Sequence, residues 1–147
     1  FNQNTFSAHA DVETTQAIAQ MARSSQVFCV TGSLLLIVTA VFHGTGIAEL
    51  DDALTRSHAP EFLEGAILAV WVHFSIHLIL LAFLGSIASF MARNARRMLA
   101  ATASVAAVDA ALVAYFVGFF AGVALLAAAS LCFACGALLW ITPSHHR

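Results

Sequence analysis

The sequence predicts an all-α integral membrane protein, a bundle of four transmembrane helices preceded by an N-terminal amphipathic surface helix. Of the 147 residues, 61% are hydrophobic and only 10% are charged, whereas a water-soluble domain carries about 25% charged residues. The apolar residues form long runs, and a bilayer core of about 30 Å requires roughly 20 apolar residues per helix. The formal net charge of -2 also excludes a nucleic-acid partner, which would require a basic face.

The apolar runs define the four spans. Residues 27–50 form the first span and residues 64–91 the second. The run from 98 to 141 is too long for one helix, so we divide it into spans at 98–117 and 122–141. Gly118 and Gly122 flank the predicted turn, because glycine permits the backbone angles of a tight reversal. The transmembrane domain is thus predicted at 27–141, with a C-terminal tail at 142–147.

An amphipathic helix is predicted before the first span, at residues 10–26. It belongs to an N-terminal segment, residues 1–26, that we expect to lie on the membrane surface or against a partner. Residues 51–60 form the only sizeable polar loop. The apolar positions that can share one face of the N-terminal helix are Val12, Ala17, Ile18, Met21 and Ala22.

The arginines predict the topology. Four spans place both termini on one side, and five of the six arginines then fall on that side. By the positive-inside rule this predicts an N-in, C-in protein of a bacterial inner membrane or an organellar membrane. Arg56 lies alone on the opposite, acidic side. The five arginines on the inner side are Arg23, Arg93, Arg96, Arg97 and Arg147.

Four ionisable residues lie at membrane depth. Asp109 is central in the third span, where a carboxylate costs about 2.5–3.5 kcal/mol even on insertion scales. His43 lies near the end of the first span, and His73 and His77 share one face of the second. A rise of about 1.5 Å per residue brings His73 level with Asp109, so we predict an interhelical His73–Asp109 pair. Interhelical packing alone remains an alternative explanation for these polar residues.

The histidines are also candidate cofactor ligands. His43 with His73 could clamp a b-type haem, although their predicted depths differ by about 7 Å. Any one of His43, His73 and His77 could instead ligate a chlorophyll. The stretch from Phe42 to Ile47 resembles the His-Gly-Ile stretch of the cytochrome b anchor of succinate dehydrogenases, but this chain has Ala-Glu where that family has Arg-His. We assign no family on so short a match.

The predicted function is a non-catalytic accessory subunit of a larger membrane complex, respiratory or photosynthetic. The sequence contains no nucleotide motif and no nucleophile with a base beside it, so we expect neither catalytic residues nor an enzymatic activity of its own. The three cysteines lie inside apolar runs, which favours buried packing over a metal site. Other membrane subunits and lipids are the expected partners. The alternative is a redox or pigment-binding membrane protein that holds a haem b or chlorophyll through its histidines.

Overall fold

The computed structural model describes residues 3–91 and 94–140, and this part of the chain is 90% helix without a strand. Four helices are long and apolar enough to cross a membrane, which confirms the predicted all-α class and the number of long helices. The predicted tail at 142–147 lies outside the described residues, as do Arg93 and Arg147. The helices are α1 (Gln3–Thr45), α2 (Ile47–Ser57), α3 (Glu61–Ala88), α4 (Ala95–Val117) and α5 (Ala121–Leu139).

The four long helices alternate in direction and pack in the order α3, α1, α5, α4. Helix α1 lies between α3 and α5, and α4 packs mainly against α5. The contact between α3 and α4 is much less extensive, so the bundle closes loosely along this seam. The basic end of the bundle contains Arg23 and the connection from α3 to α4. The acidic end contains α2 and the turn from α4 to α5.

The predicted turn in the long C-terminal apolar run is confirmed. Helix α4 ends at Val117 and α5 begins at Ala121. Gly118 between them has a φ of +100°, a conformation that side chains with a Cβ rarely adopt. The division of this run into two helices therefore depends on a glycine at this position.

The N-terminal segment differs from the prediction. Helix α1 continues without interruption for 43 residues, or about 65 Å, so residues 10–26 are its first part and not a separate surface helix. The sequence explains this, because no Gly or Pro occurs between residues 3 and 31 to end a helix. Ser25, inside the predicted surface segment, is fully buried in the bundle, whereas residues 16–23 are exposed.

The predicted polar loop at 51–60 is mostly helical. Helix α2 occupies Ile47–Ser57, and only residues 58–60 separate it from α3. Leu50 and Leu54 are half-buried on one side of α2, and the charged residues of the helix are exposed on the other. The polar residues that indicated a loop are therefore the outer face of a short amphipathic helix.

Phe133 of α5 occupies the centre of the basic half of the bundle and is completely buried. A Cβ atom at Gly85 of α3 would lie 2.3 Å from its ring, and a Cβ at Gly32 of α1 would lie 3.1 Å away. Gly136 of α5 faces Cys29 of α1, whose Sγ would lie 3.0 Å from a Cβ there. These five residues bring α1, α3 and α5 close together, and we call this region the packed end.

Serine hydroxyls connect neighbouring helices by donating to backbone carbonyls. Such bonds join α1 to α5, α1 to α3 and α5 to α4, so three of the helix contacts contain a polar link. Small polar residues are typical of helix contacts inside membranes, because they permit close approach and satisfy each other there. The bonds are Ser25 to Gly136 (2.8 Å), Ser33 to Ala82 (2.9 Å) and Ser130 to Ala103 (2.8 Å).

Candidate functional site: an aromatic cavity and a polar pair

At the acidic end, Trp71 of α3 contacts the last turn of α1. Its indole Nε1 donates a hydrogen bond of 3.0 Å to the backbone carbonyl of His43. The His43 ring stacks on the indole with ring centroids 3.9 Å apart, and Phe74 contacts the His43 ring edge-on at 5.0 Å. A Cβ at Gly46 would lie 3.0 Å from the indole. The glycine that separates α1 from α2 therefore leaves room for Trp71.

A cavity of about 710 Å³ lies beside this aromatic cluster, between α1, α3, α4 and α5. This volume is within the range of about 300–1,000 Å³ that is usual for small-molecule sites, which are mostly apolar and aromatic. We call the region around the cavity the cavity end. Its lining residues include His43, Glu49, Val70, Trp71, Val113 and Phe120.

The cavity lies where the loose seam between α3 and α4 meets the large side chains of the acidic end. Val70 of α3 and Val113 of α4 line it from the two sides of the seam. Phe120 lies above, and its ring folds over Gly122, where a Cβ would lie 2.5 Å from the ring. The cavity thus lies beside two helices with limited mutual contact, and aromatic rings form part of its wall.

A second polar feature joins α3 to α4 one helical turn below the cavity. Nε2 of His77 lies 3.1 Å from Oδ2 of Asp109. The Asp109 side chain is 15% exposed and that of His77 is 34% exposed. Phe74 and Val113, which line the cavity, are the next residues on the same faces of α3 and α4. The pair therefore holds the seam together at the floor of the cavity.

This pair corrects the predicted His73–Asp109 contact. The partner of Asp109 is His77, and His73 is exposed on the outer face of α3. The prediction treated both helices as perpendicular to the membrane, and tilt changes such levels by about one turn of 5.4 Å. Residues four apart also differ by about 40° around the helix axis, so only one of the two histidines points at α4.

The three candidate cofactor ligands do not converge on one space. His43 stacks on Trp71 with its Nε2 buried and unpartnered among the described residues. His77 is bonded to Asp109, and His73 points outward. A b-type haem held by two histidines requires two imidazoles that face one iron, and this arrangement does not provide such a pair. Within residues 3–91 and 94–140, no three His, Cys, Asp or Glu residues are close enough to hold a metal ion.

Several residues of the cavity were missed by the sequence analysis. Trp71 was predicted only as an apolar residue of the second span, Phe120 as part of the turn between the third and fourth spans, and Glu49 as part of the acidic side. Gly46 beside His43 was the available signal, because a glycine near the end of a span indicates a close approach by another element. The cavity itself depends on the limited contact between α3 and α4, which hydropathy does not encode.

Comparison with protein-family models, with curated proteins and with solved structures gives no match to this chain. Its function is therefore inferred from the residues of the cavity and the seam.

Proposed function

We propose that the chain is a multi-pass membrane protein that binds an apolar small molecule in the cavity at its acidic end. The observation that carries this proposal is the cavity of about 710 Å³ between α1, α3, α4 and α5. Its wall is aromatic and aliphatic with few polar groups, which is the usual character of a ligand site.

The distribution of exposed side chains supports the membrane part of the proposal. Large apolar residues are exposed along the outer faces of all four long helices, as a lipid environment requires. Exposed aromatic residues lie at both ends of the bundle, and aromatic belts are typical of membrane interfaces. We propose that the basic end faces the inner side of a bacterial or organellar membrane. The aromatic residues are Phe62, Tyr115 and Phe119 at the acidic end and Phe90 at the basic end.

The surroundings of the cavity support entry from the lipid. Val70 and Val117 line the cavity and are also strongly exposed on the outer surface. They lie on α3 and α4, the two helices with the loosest contact. An apolar molecule dissolved in the bilayer can therefore enter between these helices without crossing a polar surface.

Quenching of Trp71 fluorescence tests the binding. The chain has two tryptophans, Trp71 in the cavity lining and Trp140 at the basic end of the bundle. Trp140→Phe therefore leaves Trp71 as the only tryptophan. The purified Trp140→Phe protein, in an uncharged detergent, is titrated with a bromoalkane, whose bromine quenches indole fluorescence on contact. We expect saturable quenching.

A matched pair of variants on α4 distinguishes the cavity from general partition into the micelle. Val113→Phe fills the cavity and is expected to abolish the saturable component. Val108→Phe makes the same change at a position outside the cavity lining that is 55% exposed, and is expected to leave it unchanged. Linear, unsaturable quenching in all three proteins would contradict the proposal.

Labelling of single cysteines tests the topology. In a protein whose three native cysteines are replaced by serine, cysteines are introduced at Thr55 in α2 and at Asn94 before α4, both exposed positions. An impermeant maleimide applied to sealed vesicles should reach only one of the two sites from each side. Labelling of both sites from the same side would contradict the four-span topology.

A second candidate function, an accessory subunit of a larger respiratory or photosynthetic membrane complex, is favoured by the length of α1. Its 43 residues far exceed one span, and residues 16–23 are exposed, including Ile18 and Met21. We propose another membrane subunit as the partner of this projecting part. Extraction in mild detergent followed by mass measurement tests it. An isolated monomer in every preparation from its native membrane would contradict this candidate.

A further inference from the structure

The polar groups of the cavity wall form hydrogen bonds within the chain, with two exceptions among the described residues. The hydroxyl of Thr39 donates to the Leu35 carbonyl, and that of Thr45 donates to the Phe42 carbonyl. The Trp71 indole donates to the His43 carbonyl. The donors of these three wall side chains are therefore engaged, and they offer nothing to an anionic head group.

One exception is the buried Nε2 of His43, and the other is Glu49. It lies in the first turn of α2, is exposed, and lines the cavity. No hydrogen bond joins its carboxylate to the side chains of the described residues, whereas Asp52 in the same helix is paired with Arg56. A carboxylate accepts hydrogen bonds and attracts cations. The rim of the apolar cavity thus presents a negative charge.

The surroundings of Glu49 have the same sign. The stretch from residue 49 to residue 64 contains five carboxylates and one arginine, Arg56. Their combined potential repels an anionic head group and attracts a cationic one. Charge complementarity therefore favours a cationic head group at the rim. The apolar wall accepts the same hydrocarbon body whatever the head group.

We infer that the cavity binds a lipophilic cation, with its apolar body among Trp71, Val113 and Phe120 and its cationic head beside Glu49. This inference rests on the proposed function, since it names the class of ligand for the same cavity. A hydrogen bond between ionised groups is stronger than one between neutral groups, so a head with N–H donors would bind more tightly than a quaternary one.

Three probes with one bromoalkyl chain test the inference. The chain bears a primary ammonium, a hydroxyl or a sulfate, and each probe is titrated against Trp71 fluorescence in the Trp140→Phe protein in uncharged detergent. We expect the ammonium to bind about tenfold more tightly than the alcohol, because a charged hydrogen bond at the rim is added. The sulfate is expected to bind most weakly.

Two acid-to-amide variants locate the source of the preference. Glu49→Gln is expected to reduce the ammonium-to-alcohol ratio to near one. Glu61→Gln changes an exposed position at the same end but outside the cavity lining, and is expected to leave the ammonium-to-alcohol ratio unchanged. Equal saturable binding of all probes, or a preference that survives Glu49→Gln, would overturn the inference and leave the proposed function standing. Absence of saturable quenching by every probe would overturn both.

Discussion

The packed end and the cavity end are built from the same helices, yet they bring α1 and α3 together in different ways. At the packed end, Gly32 of α1 and Gly85 of α3 both face the ring of Phe133, and Ser33 of α1 donates a hydrogen bond to the Ala82 carbonyl of α3. At the cavity end, Trp71 and His43 fill the space with two stacked rings. In the proposed membrane setting, lipid offers no hydrophobic drive for helices to associate, so residue size at each contact sets the spacing. The same helix pair is thus joined through glycines and one ring at one end, and through two stacked rings at the other.

Removal of the ring at the centre of the packed end should have the largest effect on stability. Phe133→Ala leaves a void among three helices and is expected to cost about 3–5 kcal/mol of unfolding free energy. Phe116→Ala removes the same ring from an exposed site on α4 and should change stability little. Thermal unfolding in detergent measures both. Equal losses in the two variants would show that the packed end is no better packed than the surface.

The same glycine substitution at two places on α3 compares the two ends directly. A Cβ at Gly85 meets the Phe133 ring at 2.3 Å, whereas a Cβ at Gly65 has nothing within 4 Å. Gly85→Ala should lose about 1–3 kcal/mol through overpacking. Gly65→Ala should be neutral or stabilising, because alanine favours helix over glycine. A tolerated Gly85→Ala would mean that α3 is free to shift away from Phe133.

The histidine–aspartate pair should couple α3 to α4 at the floor of the cavity. Asp109→Leu and His77→Leu should each destabilise, and the double variant should recover part of the loss, with a coupling of about 0.6–1.7 kcal/mol. The matched control is His73→Leu on the same helix, which should add independently to Asp109→Leu. Coupling to His73 with none to His77 would restore the pair that the sequence analysis predicted.

Filling the cavity should have the smallest effect on stability. Val113→Phe places a ring in open space, so we expect the unfolding free energy to change by no more than about 0.5 kcal/mol. The thermal unfolding curve of this variant is compared with that of Val108→Phe. A loss of several kcal/mol in Val113→Phe alone would show that the space is narrower than the cavity volume indicates.

The four long helices and the C-terminal turn could be predicted from the sequence, because hydropathy and Gly118 determine them locally. Helix α2 was instead predicted as a polar loop. The partner of Asp109 was predicted as His73, whereas the structure has His77 in that place. The choice between His73 and His77 depends on the tilt and rotation of α3, which the spacing of residues along the sequence does not determine. The predicted boundary between the N-terminal helix and the first span, after residue 26, is absent from the structure for another reason. A change from polar to apolar residues along α1 indicates a change of surroundings, and the backbone needs no break to accommodate it.

The central claim is that the cavity end is a binding site. The most direct measurement is the crystal structure of the protein grown with a bromoalkane, with data collected at the bromine absorption edge. We predict an anomalous bromine peak inside the cavity, between Trp71 and Val113, and no such peak in crystals of Val113→Phe. Bromine peaks confined to the outer faces of the helices, with the aromatic side chains collapsed into the cavity, would contradict it.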